Sequence, residues 1–216
     1  MRKIITLTYL SLFLASCGIT TGPSLISQPV VLPTPTPTAT PAPSPTPVFV
    51  GSCYGGGVVF YVNTIPNAAV GNQGLVAALN DVSASTYAWD TSGTLTLAGT
   101  SLSLFTGASN TTLLLATADG LAGNMQAASM AHAYTDGTYN DWYLPSQGEI
   151  ALLKAQAGTT SNLFTNCSGT NPLSASVYWS SSQYDTGDAS YVSFSNGVVY
   201  VGPLSTSYSV RAIRAY

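Results

Sequence analysis

Residues 29–48 read PVVLPTPTPTATPAPSPTPV. Proline at such density fixes φ and removes backbone donors, so neither helix nor sheet can form there. Alternation with Thr favours polyproline II, and at about 3.1 Å per residue the stretch would span roughly 60 Å. A packed core therefore has to lie after it. Phe49 to Tyr216 is 168 residues, long enough for one domain with a sizeable core.

What precedes the proline run reads as an address. MRK is a basic start and IITLTYLSLFLAS is an apolar run too short to span a bilayer. It ends in LASC, so Cys17 follows small residues as a lipid-accepting cysteine does. The expected organisation is a lipoprotein signal peptide over 1–17, a flexible, disordered Pro/Thr-rich linker over 18–48, and a binding domain over 49–216. Acyl chains on Cys17 would hold the chain on a membrane without a spanning helix. Gly18, rather than Asp, follows the cysteine, which points to the outer membrane of a bacterial envelope and a surface-exposed domain.

Past Cys17 the basic residues are Lys154, Arg211 and Arg214; three against eight acids leaves a formal charge of −5. Charged residues make up 6% of the chain, against roughly 25% in an average soluble protein. Nucleic acid, which requires clustered Lys and Arg, is excluded as a partner. Thirteen tyrosines in a neutral background suit contact with neutral polar ligands instead. Two cysteines remain, Cys53 and Cys167, and an oxidising compartment with an even count predicts that they pair.

Strands are expected at 55–62 and 74–79. Leu114, Ala118, Leu121, Met125, Ala128 and His132 recur at helical spacing, which predicts one helix within 109–134, capped by Ser109 or Asn110. Ser146 followed by Glu149 matches a capping box, so a second helix is expected over 146–158 with Ile150, Leu153 and Ala157 inward and Gly158 as its stop. DWYLP then leads into that helix, with Trp142 and Leu144 directed to the core. VYWSSS (177–182) reads as a strand. ASYVSFSNGVVYVG (189–202) reads as a hairpin with a two-residue Asn196-Gly197 turn, pairing Ser195 with Val198 and Val192 with Val201. Val192, Phe194, Val199 and Val201 would then face the core, and Tyr191, Ser193, Ser195, Val198 and Tyr200 the other side. YSVRAIRAY (208–216) reads as a closing strand, its two arginines pairing with Asp141 or Glu149.

GGGVVFYV, GLVAAL, TGASNT, DWYLPSQGEI, YWSSSQY, VSFSNG and VRAIRAY occur in this order over residues 51–216. The series resembles the Lcl C-terminal domain family of bacterial surface proteins and lipoproteins. The resemblance implies an α+β, C-type-lectin-like fold: two helices, a small mixed or antiparallel sheet, and first and last strands side by side. It also implies adhesion. One family member is similar to an adhesin for sulfated polysaccharide, but a chain this poor in cations is ill suited to a polyanion.

No catalytic set can be built. His132 is the sole histidine and reads as a core or helix-terminal residue, so no enzyme is expected. Asp185 and Asp188 read as solvated loop carboxylates, and neither metal nor cofactor is expected. The candidate ligand surface is Tyr184, Asp185, Asp188, Tyr191, Ser193, Ser195, Tyr200 and Tyr208, because Tyr and Ser combine rigid amphipathic contact with adaptable hydrogen bonding. The expected ligand is carbohydrate or protein on another cell or matrix. Two alternatives stand beside that: a receptor diversified by a retroelement for protein ligands, and a structural envelope lipoprotein.

Overall fold

The computed structural model describes residues 47–159, 163–168 and 173–216. Cys17 and linker residues 18–46 lie outside the described residues. The described chain is a mixed α+β domain. Its elements are β1 (Cys53–Tyr54), β2 (Gly57–Val62), β3 (Gly74–Ala78), β4 (Tyr87–Ala88), α1 (Gly107–Leu115), α2 (Ala118–Leu121), α3 (Gln126–His132), α4 (Gln147–Thr159), β5 (Val177–Gln183), β6 (Asp188–Ser193), β7 (Val199–Pro203), β8 (Ser207–Tyr208) and β9 (Ile213–Ala215). Three antiparallel sheets form, ordered β1-β2-β3-β9, β4-β8 and β5-β6-β7. No helix among the described residues is long and apolar enough to cross a membrane.

The β5-β6-β7 sheet separates two apolar clusters. On one face Tyr178 and Val192 pack with Ile150 and Leu153 of α4 and with Phe60 of β2. On the other, Trp179 and Ala189 join Trp89, Trp142, Leu114 and Met125. The three indoles are buried, and each donates its N–H to a carbonyl: Trp89 to Ser180 (2.7 Å), Trp179 to Tyr87 (2.9 Å) and Trp142 to Tyr139 (3.2 Å). Burial of a large ring without a stranded donor is the condition for using Trp in a core.

Four helices replace the two expected. The single helix expected within 109–134 is broken into α1, α2 and α3. The Thr117 hydroxyl accepts the Gly120 N–H at 3.0 Å and restarts the helix, and Gly123 sits at φ +81°. Local capping and a left-handed glycine override the 3.6-residue period here. Leu114, Met125 and Ala128 are buried as the period predicts, but Ala118 and His132 are exposed and Leu121 is 81% exposed. His132 is the last residue of α3. The first helix begins at Gly107 with Thr106 as N-cap, not Ser109 or Asn110. Asn110 is instead buried, and its amide bonds Ser101 and the Ser181 hydroxyl.

The segment DWYLPSQGE is a structural corner, and each residue has a task. Asp141 forks onto Arg214 at 2.6 and 2.7 Å. Trp142 and Leu144 are buried. Tyr143 exchanges backbone hydrogen bonds with Ile213 at 2.9 and 3.1 Å, tying the corner to β9. The Pro145 carbonyl, which proline leaves free to accept, takes the Ser181 N–H at 2.7 Å. Ser146 and Glu149 close the capping box: the Ser146 N–H reaches the Glu149 carboxylate at 2.7 Å, and the Glu149 N–H reaches the Ser146 hydroxyl at 3.3 Å. Ile150 and Leu153 are buried and Ala157 half-buried, and α4 runs one residue past Gly158.

Two further expectations change at the end of the chain. Arg211 pairs with Asp81 (2.7 Å), and only Arg214 takes one of the expected partners, Asp141. Glu149 accepts from the Ser146 N–H (2.7 Å) and the Tyr143 hydroxyl (3.5 Å) rather than from an arginine. The closing strand is interrupted: β8 pairs with β4, and β9 pairs with β3, so the last strand lies beside the third strand rather than the first. Cys53 and Cys167 form a disulfide across 114 residues.

Candidate functional site

The hairpin that carries most candidate residues differs from expectation in its turn. Val192 pairs with Val199 and Tyr191 with Tyr200, two residues out of the expected register. The tight Asn196-Gly197 turn would need positive φ at both residues, yet only Gly197 has it (φ +77°). A longer turn forms, closed by Gly197 N–H to Ser193 O (2.7 Å) and Ser193 N–H to Val198 O (3.0 Å). The Asn196 carboxamide oxygen accepts the Val198 N–H at 3.0 Å. A shift of two preserves which residues share a face, because side chains alternate with period two. Val192 and Phe194 are accordingly buried. Val199 and Val201, expected in the core, are 36% and 44% exposed, because β7 is the edge of its sheet.

Three strands put aromatic rings in one row. Trp179 pairs with Tyr191, and Tyr191 with Tyr200. The Trp179–Tyr191 ring centroids lie 5.8 Å apart edge to face, and the Tyr191 and Tyr200 rings stack at 5.6 Å. Tyr208 of β8 closes over the row, 4.6 Å from both Trp179 and Tyr191. Burial, followed by the Tyr191 hydroxyl beside it, pushes the Tyr208 phenol up to about 12. The row runs from a buried anchor, Trp179, to an open border, Tyr200, which is 40% exposed. Such a ladder offers a flat amphipathic platform with little entropy left to lose. The Asn196 amide donates to the Tyr200 hydroxyl at 2.9 Å and steadies the last ring. Gly202 lies under Tyr191, where an added Cβ would stand 2.9 Å from the ring.

The candidate residues divide into three groups. Tyr191, Tyr200 and Tyr208 come together in the ladder. Ser193 and Ser195 share a hydroxyl–hydroxyl bond of 2.8 Å at the β6–β7 turn. Tyr184, Asp185 and Asp188 lie at the other end of β6, beside the β5–β6 turn. The five-residue step from Asp188 to Ser193 separates those ends by about 17 Å. Asp185 is spent on that turn, accepting the Gly187 and Asp188 N–H groups at 2.8 and 2.9 Å. Tyr184 is 64% exposed but is not in the row. Among the described residues no cluster of three or more His, Cys, Asp or Glu is placed to hold a metal. Trp179, Asn196 and Gly202 belong with the site and were not singled out from sequence. Only the register across three strands reveals them.

The border strands carry little charge, though the Lys154 side chain lies beside Gly197 at the β6–β7 turn with its ammonium 5.9 Å from the Phe194 ring. No charged residue occurs from Ala189 to Tyr208. Two of the three cations past Cys17 are engaged inside: Arg211 is fully buried on Asp81, and Arg214 lies against Asp141 and over the Tyr139 ring at 4.0 Å.

The fold and site thus define an α+β domain with an uncharged aromatic border. The family model for the Lcl C-terminal domain matches residues 80–214, more than half of the 216. The chain belongs to the Lcl C-terminal domain family, and membership suggests a surface or adhesin-like domain. The match starts after β3, so the expected resemblance over 51–79 lies outside it. No curated protein matches the sequence.

Proposed function

We propose that this chain is a lipid-anchored, surface-displayed recognition protein of C-type-lectin-like fold, acting in adhesion and not in catalysis. Cys17 carries the anchor, the Pro/Thr-rich stretch acts as a stalk on an outer membrane, and the Tyr191–Tyr200–Tyr208 border contacts the ligand. The observation that carries this reading is the aromatic ladder ending in an exposed ring on an uncharged sheet edge. Neutral carbohydrate is the ligand class it suits best: pyranose faces stack on Tyr, while hydroxyl groups meet Asn196, Ser193 and Ser195. Engagement of both arginines in internal ion pairs argues against sulfated polysaccharide.

The test is a broad glycan array with the protein, run with calcium and again with chelator, beside a Tyr191→Ala/Tyr200→Ala variant. Binding to neutral glycans that the variant loses, unchanged by chelator, is the expected outcome. Binding confined to sulfated glycans, or retained by the variant, would overturn the assignment.

A further inference from the structure

The outer edge of β7 is unpartnered. Ser193 and Val198 face each other through their backbones, so by the alternation of an antiparallel ladder Tyr200 and Gly202 also direct theirs to β6. The N–H and C=O groups of Val199 and Val201 therefore point outward, and among the described residues none of these four groups has a hydrogen-bond partner. Edge strands usually carry a charge, a proline or a bulge that blocks pairing with another chain. This one has no charge over residues 189–208, and its one proline, Pro203, stands at the end of the strand. Val198, Val199, Tyr200 and Val201 are each at least 36% exposed.

The occupant that this edge fits is a second copy of itself. Two outward-facing residues flank Tyr200 symmetrically, so a two-fold antiparallel pairing centred there matches Val199 with the other copy's Val201, and Val201 with its Val199. All four outward groups are then satisfied by four hydrogen bonds, and Pro203, lacking an N–H, ends the pairing. Tyr200 faces its own symmetry mate across the axis. The Trp179–Tyr191–Tyr200 row becomes one continuous row through both copies, and absence of charge leaves nothing to repel at the axis. The geometry points to a dimer built by β7–β7 strand addition, which presents two aromatic borders as one surface.

The pairing sets a distance. Residues opposite each other at a non-hydrogen-bonded position have Cα atoms about 4.5 Å apart, within disulfide range. The experiment uses the full chain, secreted with its own N-terminus into a bacterial envelope. Tyr200→Cys is oxidised and scored on a non-reducing gel, beside Leu121→Cys, an exposed position on α2, as the control for random collision and for Cys17. A dimer band for Tyr200→Cys at least tenfold stronger than for the control is expected, and Val199→Lys/Val201→Lys in the same background should remove it. Those valines share the face opposite Tyr191 and Tyr200, so the substitutions leave the ladder in place. Glycan binding by the Val199→Lys/Val201→Lys protein is read in parallel, so loss of pairing and loss of recognition are distinguished. A Tyr200→Cys band no stronger than the control, or one that survives both lysines, would overturn the proposal.

Discussion

The strands β5 (VYWSSSQ) and β7 (VYVGP) are the two outer strands of one three-stranded sheet, and neither carries a charge. Their polar groups go opposite ways. In β5, Ser180, Ser181, Ser182 and Gln183 are all buried, and each finds a protein partner: Ser190 O, Asn110, Ser101 O and the 95–100 loop. Glu149 and Asn110 extend this seam into the corner that precedes α4. In β7 the one polar side chain, Tyr200, is 40% exposed, and its hydroxyl meets the Asn196 amide. Both strands border the sheet, but the outer edge of β5 is covered, its Ser181 and Trp179 N–H groups going to the Pro145 and Ser209 carbonyls, whereas that of β7 is open. Polar groups on the covered border fix the fold, and the open border leaves its outward backbone groups exposed.

The widest separation between the two regions should appear in stability. Arg211→Ala removes a fully buried guanidinium that holds Asp81 at 2.7 Å and the Ala78 carbonyl at 2.9 Å. A loss of about 3 kcal/mol is expected, because a partly buried carboxylate loses its counter-charge and keeps only the Tyr178 hydroxyl, at 3.2 Å. Urea denaturation reads it, and a loss below half that figure would show that water replaces the guanidinium.

The seam should also respond to pH. Burial pushes Glu149 up to about 7 despite the Ser146, Phe105 and Gly107 N–H groups that favour its charged form. Its native value stands above that of the unfolded chain, so the native state binds the proton more tightly. The associated stability is complete below about pH 4.5 and is lost as pH rises to about 7, a change of at most about 3 kcal/mol. Asp141 works in the opposite sense. The Arg214 hydrogen bond lowers it despite partial burial, so its contribution is present at neutral pH and lost as pH falls through the lowered value. Urea midpoints measured from pH 4 to pH 8 should therefore decline toward pH 8, and Glu149→Gln should flatten that decline.

Arg214→Ala should cost less, about 1 kcal/mol, because the Asp141 side chain is 54% exposed and regains water when the pair is broken. Thermal melts read this, and a loss near that of Arg211→Ala would mean that the Tyr139 stacking carries most of the pair. At the border the stability effect should nearly vanish. Tyr200→Ala should shift stability by about 0.5 kcal/mol or less, as exposed substitutions do, while weakening ligand binding at least tenfold. A variant that loses stability but keeps binding would reverse the roles assigned to the two regions.

Much of the corner was legible in sequence, because its signals are local. A capping box, a residue before proline and alternating apolar positions are each read within four or five residues, and Ser146, Glu149, Trp142 and Leu144 are placed as those signals predict. The hairpin was legible in its faces but not in its turn, since a register shift of two leaves the alternation unchanged. What escaped was set by distant partners. Asp81 took Arg211 from across 130 residues, and local caps at Thr117 and Gly123 divided a helix whose apolar period was real. The burial of Val199 and Val201 was misread because period alone does not say which strand is last in a sheet. The ladder likewise required three strands in register before Trp179, Tyr191 and Tyr200 formed one row.

The Cys53–Cys167 bridge bears on how this domain would meet mechanical load. A pull from the N-terminal side reaches the fold at β1, a two-residue strand at the edge of its sheet. Hydrogen bonds loaded in turn at such an edge would open like a zip, one pair after another. The covalent link stops that peeling at residue 53 and passes the tension to Cys167, past α4, so that the segment between them is shielded. A domain held from its N-terminal side and pulled at the β6–β7 border would then lengthen only by the residues outside the bridge, and its first strand, which begins at Cys53, would stay in place.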